Sequence, residues 1–134
     1  MSHSNRDLIQ RAYDAFGRGD IPTVLGILDK EIRWHVPGQS PLSGDYIGHE
    51  QVLGFFQKSM ELSGGTLRIE LHDIVASDMV VFVLCTVSAT RSGQHAGFLA
   101  VHVWRVFDGR AVEFREFQGD EATEGKFWTQ SPAS

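Results

Sequence analysis

Apolar residues recur every three or four positions in the first half of the chain and every second position through much of the second half. The first spacing is typical of amphipathic helices, and the second is typical of strands with one buried face. A first helix is predicted from a cap at Ser4 or Asn5 to about Arg18, because Gly17 and Gly19 end the pattern there. The chain is therefore expected to form helices early and a sheet late.

Three further helices are predicted. Asp20 caps a short helix that carries Pro22 in its first turn, where the missing amide hydrogen of proline costs no hydrogen bond. A third helix follows Gly48 and ends at Ser63-Gly64-Gly65. Asp120 opens a short terminal helix whose apolar residues lie near its end.

Alternation, β-branched residues and turn signals predict five strands. The first begins at Ile32, between the second and third helices, and breaks at Pro37-Gly38. The other four run from Thr66 to the turn at Ser77-Asp78, from Met79 to Thr90, from Gly97 to Phe107, and from Arg110 to Gln118. This order indicates one α+β domain, residues 1–134, with helices against one face of a curved, largely antiparallel sheet.

Charge and composition narrow the classes of partner. The net charge is −5 and the basic residues are scattered singly, which argues against nucleic acid as a partner. No window approaches the roughly 18 apolar residues that a membrane span requires, and the N-terminus is polar, so no membrane partner and a cytoplasmic location are expected. The one cysteine, Cys85, lies in the apolar run 79–85 and is expected to be a small buried hydrophobe.

No metal or cofactor site is predicted. The histidines lack the short paired spacings of zinc sites, and His95 and His102 differ by an odd number of residues, so on a regular strand they point to opposite faces. The chain also lacks a nucleophile elbow, a phosphate-cradling glycine loop and a dinucleotide fingerprint.

Four motifs, taken in order, resemble a known family. They are Tyr13-Asp14-Ala15-Phe16-Gly17-Arg18-Gly19-Asp20, Ile32-Arg33-Trp34-His35-Val36-Pro37-Gly38, Ser43-Gly44-Asp45-Tyr46-Ile47-Gly48, and Asp120 with Phe127-Trp128. Together they resemble the SnoaL-like branch of the nuclear transport factor 2-like superfamily, which includes ketosteroid isomerase, scytalone dehydratase and polyketide cyclases. The resemblance implies a cone in which three helices from the first half and a short C-terminal helix close a strongly curved sheet over one apolar cavity. It also implies a homodimer through the outer sheet face.

The resemblance also suggests catalytic positions. Alignment with ketosteroid isomerase places His35 at the position of the base and His102 at the position of the protonated acid. The tyrosine position falls on Ala12, with Tyr13 one residue away. The isomerase set is therefore not preserved, but two imidazoles that meet in one cavity could donate and accept protons near neutral pH.

Two carboxylates are further candidates. Glu116 shares strand parity with Phe114 and Gln118, so it lies on the cavity wall if they do. Asp120 could serve as an acid at the cavity rim. In the alternative interpretation, His35 is a hydrogen-bonded core residue, Asp120 is a helix cap, and a bulge turns Glu116 outward.

Several large side chains are candidate contacts for an apolar ligand, although general core packing is the favoured interpretation of the aromatic ones. They are Tyr13, Phe16, Trp34, Phe55, Phe98, Trp104, Phe114 and Gln118. The leading hypothesis is a cofactor-independent isomerase, cyclase or dehydratase that acts by general acid–base chemistry on a small hydrophobic carbonyl or polyketide-like compound. The alternatives are a non-catalytic protein that binds a hydrophobic ligand and a dimeric interaction module.

Overall fold

Helices and one mixed sheet account for most of the chain in the computed structural model, which describes residues 2–130, with side chains from residue 4 onward. The helices are α1 (Ser2–Gly17), α2 (Ile21–Ile27), α3 (Gly48–Ser63) and α4 (Glu121–Thr129). The strands are β1 (Leu28–Val36), β2 (Gly44–Ile47), β3 (Arg68–Ala76), β4 (Val80–Arg91), β5 (Gln94–Phe107) and β6 (Arg110–Gln118). The ends of the predicted domain, residues 1 and 131–134, lie outside the described residues.

The sheet has the strand order β2-β1-β6-β5-β4-β3. Strands β3 to β6 form an antiparallel meander, whereas β1 inserts beside β6 in parallel and pairs with β2 on its other side. Register shifts interrupt three of these pairings, at 28–33, 71–73 and 105–106. Such irregularities bend a strand and increase its twist, which favours a curved sheet. The predicted α+β class is confirmed.

Cap residues of α2 and α3 lie where the sequence predicts, but α1 begins at Ser2, before the predicted cap at Ser4 or Asn5. The side chain of Asn5 instead donates to the backbone carbonyls of Ser77 and Asp78. Asp20 accepts a hydrogen bond from the backbone N–H of Thr23 at the start of α2, and Gly64 adopts the left-handed conformation that ends α3. Two differences concern β1, which begins at Leu28 rather than Ile32, and β2, which the sequence did not predict.

The core lies between the helices and the inner face of the sheet. In β1, Ile32, Trp34 and Val36 are buried and point inward. Trp34 stacks on Phe114 of the neighbouring strand, with ring centroids 3.8 Å apart. Cys85 is fully buried as predicted, and burial raises the pKa of its thiol to about 12.

The outer face of the sheet exposes large apolar side chains. On β3 to β6 they include Val75, Phe82, Leu84, Leu99 and Phe117. An exposed apolar surface of this kind is a common interaction surface, and the homodimer through this face remains a prediction. Within residues 2–130, none of the helices is long and apolar enough to cross a membrane.

Candidate active site

A row of hydrogen bonds crosses the inner face of the sheet and centres on His102, which is buried on β5. Its Nδ1 lies 2.6 Å from the hydroxyl oxygen of Tyr13 on α1. Its Nε2 lies 2.9 Å from Oε2 of Glu116, the residue directly opposite on β6. The indole N–H of Trp104 donates to the Tyr13 oxygen at 3.0 Å, and the amide of Gln118 donates to Oε1 of Glu116 at 2.9 Å.

The chemistry of these groups determines which atom donates and which accepts in each hydrogen bond of the row. An indole N–H can only donate, so the Tyr13 oxygen accepts from Trp104 and directs its own hydrogen to Nδ1 of His102. Burial raises the pKa of Tyr13 well above its ordinary value, so the phenol keeps this hydrogen. Because Nδ1 of His102 accepts this hydrogen, Nε2 carries the hydrogen that is donated to the Glu116 carboxylate. Every donor in the row therefore meets an acceptor.

The same contacts keep Glu116 ionised. Burial by itself raises the pKa of this carboxyl, because it removes the charged form from water. The hydrogen bonds that His102 and the Gln118 amide donate to the carboxylate outweigh burial, so the net pKa of Glu116 lies below its usual value. Glu116 is therefore a buried carboxylate near neutral pH.

Glu124 on α4 is a second buried carboxyl, only 3% exposed. Burial, followed by the negative charge of Glu116, raises its pKa to about 8. Within the described part of the chain its Oε1 has no hydrogen-bond partner. Glu124 is therefore a neutral carboxylic acid near pH 7.

A cavity of about 70 Å³ brings these groups together. Its apolar wall is formed largely by aromatic rings, and its polar side by the two carboxyls, His102 and Gln118. The lining residues are Phe16, Trp34, Val36, Ser40, Leu42, Phe55, Phe56, Ser59, Ile69, Val87, His102, Phe114, Glu116, Gln118, Glu124 and Trp128. A smaller cavity of about 40 Å³ adjoins it. The residues that line both cavities are Phe16, Trp34, Phe56, Ile69, His102 and Phe114. Tyr13 and Trp104 line this second cavity.

His35 does not reach either cavity, so the expectation that both imidazoles meet there is corrected. Side chains alternate along a strand, and the neighbour of His35, Trp34, points inward. His35 therefore points to the outer face, where its Nδ1 lies 2.5 Å from Oδ1 of Asp45 on β2. Asp45 is well exposed, which places this pair at the surface.

Asp120 is also absent from the cavity wall, because it caps α4. Its carboxylate accepts hydrogen bonds from the backbone N–H and the hydroxyl of Thr123, at 3.1 and 2.7 Å. These bonds lower the pKa of Asp120, which therefore stays ionised in water. The carboxyl on the cavity wall belongs instead to Glu124, one helical turn further on, which sequence reasoning missed.

Most of the predicted ligand contacts line one of the two cavities. Phe16, Trp34, Phe55, Phe114 and Gln118 line the larger one, and Tyr13 and Trp104 line the smaller one. Phe98 lines neither; its ring packs against that of Phe127, with centroids 5.5 Å apart. Among residues 2–130, no cluster of histidine, cysteine, aspartate and glutamate side chains is suited to hold a metal ion.

The profile of the SnoaL-like domain matches residues 9–114. This chain belongs to the SnoaL-like domain family. An uncharacterized protein of Mycobacterium tuberculosis is 27% identical over 123 residues, which are 91% of this chain and 94% of that protein.

Solved structures support the same assignment. Bal32a, from a soil-derived mobile gene cassette, is 29% identical with a TM-score of 0.91, and the match covers 95% of this SnoaL-like chain and 98% of Bal32a. An NTF2-like protein of unknown function from Burkholderia pseudomallei K96243 is 31% identical with a TM-score of 0.83, covering 96% and 99% of the two chains. The fold that the sequence resemblance implied is therefore confirmed.

Proposed function

We propose that this SnoaL-like protein is a cofactor-independent enzyme that isomerises, cyclises or dehydrates small, largely apolar carbonyl compounds by general acid–base catalysis. One observation carries the proposal: two carboxyl groups line the same cavity, and their environments shift their pKa values in opposite directions. When two carboxyl groups have pKa values shifted in opposite directions, one can act as a base and the other as an acid, although the side chains are chemically identical. The catalytic pair is thus Glu116 and Glu124.

In the proposed reaction, the Glu116 carboxylate removes a proton from the carbon next to the substrate carbonyl. The electron pair of the broken C–H bond moves toward the carbonyl oxygen, which takes the proton of Glu124, so an enol forms while Glu116 becomes neutral and Glu124 ionised. If the substrate has a β,γ carbon–carbon double bond, the enol is a dienol. Transfer of the Glu116 proton to its γ carbon, and of the enol proton to Glu124, then gives the α,β-unsaturated isomer and restores both groups. A general acid or base of this kind contributes roughly 100- to 10,000-fold to a rate.

His102, Tyr13 and Trp104 have a positioning role in this scheme. Both ring nitrogens of His102 are already bonded, one to Tyr13 and one to Glu116, so the imidazole orients the carboxylate and stabilises its charge. The sequence-based hypothesis took His35 as the base, whereas the proposed base is Glu116. It took Asp120 as the acid at the rim, whereas the proposed acid is Glu124.

The size of the cavity limits the guest. The two adjoining cavities, about 70 and 40 Å³, are together smaller than the roughly 150 Å³ cavity that binds benzene. They therefore accept a short chain or a five-membered ring. The aromatic wall favours an apolar body, and the polar side favours one carbonyl oxygen.

Exchange of ketone α-hydrogens for deuterium in D₂O, followed by NMR, tests the proposal. We expect wild-type protein to accelerate exchange for butanone, cyclopentanone or pent-4-en-2-one, and Glu116→Gln to reduce this acceleration roughly 100- to 10,000-fold. Glu113→Gln is a matched control, because Glu113 lies on β6 but interacts with arginines on the outer face. Exchange that is unaccelerated, or unchanged in Glu116→Gln, would contradict the assignment.

A second candidate is a non-catalytic binding protein. It is favoured by one observation, namely that both His102 nitrogens already have partners within the protein and so need not act on a guest. This candidate predicts that the same ketones bind without any exchange of their hydrogens.

We also propose that the protein is a homodimer through the outer sheet face. Support comes from Phe82, Leu84 and Leu99, which expose 48%, 39% and 56% of their surface on neighbouring strands. Covering such a surface removes apolar area from water, which favours association.

A further inference from the structure

A surface pocket, called the vestibule here, lies beside the two inner cavities at the end of α1. Its volume is about 310 Å³, several times that of either inner cavity. Its walls are the C-terminal part of α1, the C-terminal part of α3 and the beginning of β3. The vestibule is lined by Tyr13, Phe16, Gly17, Arg18, Gly19, Met60, Leu67, Arg68 and Ile69.

The vestibule is separated from the inner cavities by single side chains. Phe16 and Ile69 line the vestibule and both inner cavities, and Tyr13 lines the vestibule and the smaller cavity. Phe16 and Ile69 are each partly exposed rather than fully buried. A guest that extends past these two side chains would therefore reach from the vestibule to the polar row around His102.

The charged side chains that line the vestibule are all positive. Its lining includes Arg18 and Arg68 and, among the described residues, no carboxylate, although the whole chain has a net charge of −5. Nη1 of Arg68 donates to the Leu67 carbonyl at 2.8 Å, which holds the guanidinium at the rim. Asp20 forms an exposed ion pair with Arg18 at 3.6 Å, and its oxygens also accept hydrogen bonds from Thr23. Because exposed ion pairs are weak, an anion can compete with Asp20 for the guanidinium of Arg18.

We propose that the vestibule binds the anionic end of the substrate, so that the substrate class is a small organic anion with an apolar body and a carbonyl group at the other end. The placement of the carbonyl group rests on the proposed function of Glu116 and Glu124. The placement of the anionic group depends only on the residues that line the vestibule. Arginine suits this role because its planar guanidinium donates to carboxylate and sulfonate oxygens. An anion at the rim also stays apart from the ionised Glu116 inside, which would repel it.

A pair of fluorescent probes tests the vestibule without any substrate. 8-Anilinonaphthalene-1-sulfonate is anionic, and N-phenyl-1-naphthylamine has the same ring system without the sulfonate. We expect the anionic probe to bind more tightly, with an affinity that falls as salt is added, because salt screens exposed charges. The double variant Arg18→Gln/Arg68→Gln should weaken the anionic probe about tenfold and leave the neutral probe unchanged.

Arg110→Gln is the matched control, since it removes the same charge from the exposed β5–β6 hairpin, away from the vestibule. It should leave both affinities as in the wild type. Equal binding of the two probes, or equal loss in the control and the double variant, would overturn the anion site. Glu116→Gln should keep probe binding, so a failure of the catalytic proposal and a failure of the vestibule proposal give different results.

Discussion

Glu116 and Glu124 reach the same cavity wall from different elements, one from the last strand and one from the last helix, and they have opposite protonation states near pH 7. The two states depend on each other, because the charge of Glu116 is one of the causes that raise the pKa of Glu124. The bonds from His102 and Gln118 determine which of the two is ionised. One cavity thus contains both a neutral carboxylic acid and an ionised carboxylate. Among the described residues, no group of side chains is suited to hold a metal ion there.

Glu124→Gln should change how stability depends on pH. The folded-state pKa of Glu124, about 8, lies above the ordinary value of 4.5, so folding favours its protonated form and this stabilisation is lost as pH rises. Relative to the variant, the free energy of unfolding of the wild type should fall by about 1.4 kcal/mol per pH unit between these two values and level off above. Urea denaturation at a series of pH values measures this difference. Glu121→Gln, on the exposed side of the same helix, should show no such slope.

Tyr13→Phe should destabilise the protein by about 1–3 kcal/mol, because it leaves the Trp104 N–H buried without a partner and Nδ1 of His102 with only the weak Cys85 thiol, 3.8 Å away. The other tyrosine provides a control. Tyr46 donates one hydrogen bond to the Leu42 carbonyl in a half-buried position, so Tyr46→Phe should cost less. Chemical denaturation compares the two variants. Equal losses would show that the row around His102 contributes little.

His35→Ala should keep deuterium exchange within about twofold of the wild-type rate, whereas His102→Asn should lower it at least tenfold. The reason is position: His35 pairs with Asp45 at the surface, while His102 bonds directly to Glu116. NMR of the ketone substrates measures both rates. A loss in His35→Ala that matches the loss in His102→Asn would restore the two-histidine hypothesis.

Phe82→Glu should convert the proposed dimer to a monomer in sedimentation experiments at micromolar concentration, because it places a charge in the centre of the exposed apolar face. Ile47→Glu is the control. Ile47 is similarly exposed, at 51%, but lies on β2 at the opposite edge of the sheet. A wild type that sediments as a monomer, or a Phe82→Glu variant that stays dimeric, would exclude this interface.

The sequence predicted the helices and the long strands because their periodicity and caps are local signals. Strand β2 was missed because it is short and contains Gly44 and Asp45, residues that are rare in strands. It exists through pairing with β1, which no local pattern reveals. The parallel pairing of β1 with β6 also joins residues that are far apart in the sequence, so no local pattern predicts it.

The candidate site was predictable in part. Strand parity placed Glu116 with Phe114 and Gln118, and the structure has all three on the cavity wall. The same rule, applied to β1, separates His35 from its neighbour Trp34, so both could not have faced one cavity. Glu124 had a helical signal, since it lies three and four residues before Phe127 and Trp128 and shares their buried face. The pKa values depend on burial and partners in three dimensions, which spacing alone does not give.

Titration of the glutamate side-chain carboxyl carbons by ¹³C NMR measures the two pKa values on which the proposed catalysis depends. We predict that Glu124 titrates near pH 8 and Glu116 below its ordinary value of 4.5, and that Glu116→Gln lowers the midpoint of Glu124 because a neighbouring charge is removed. If both carboxyls of the wild type titrated together near 4.5, neither would be a neutral acid at pH 7, and the proposed division between base and acid would be wrong.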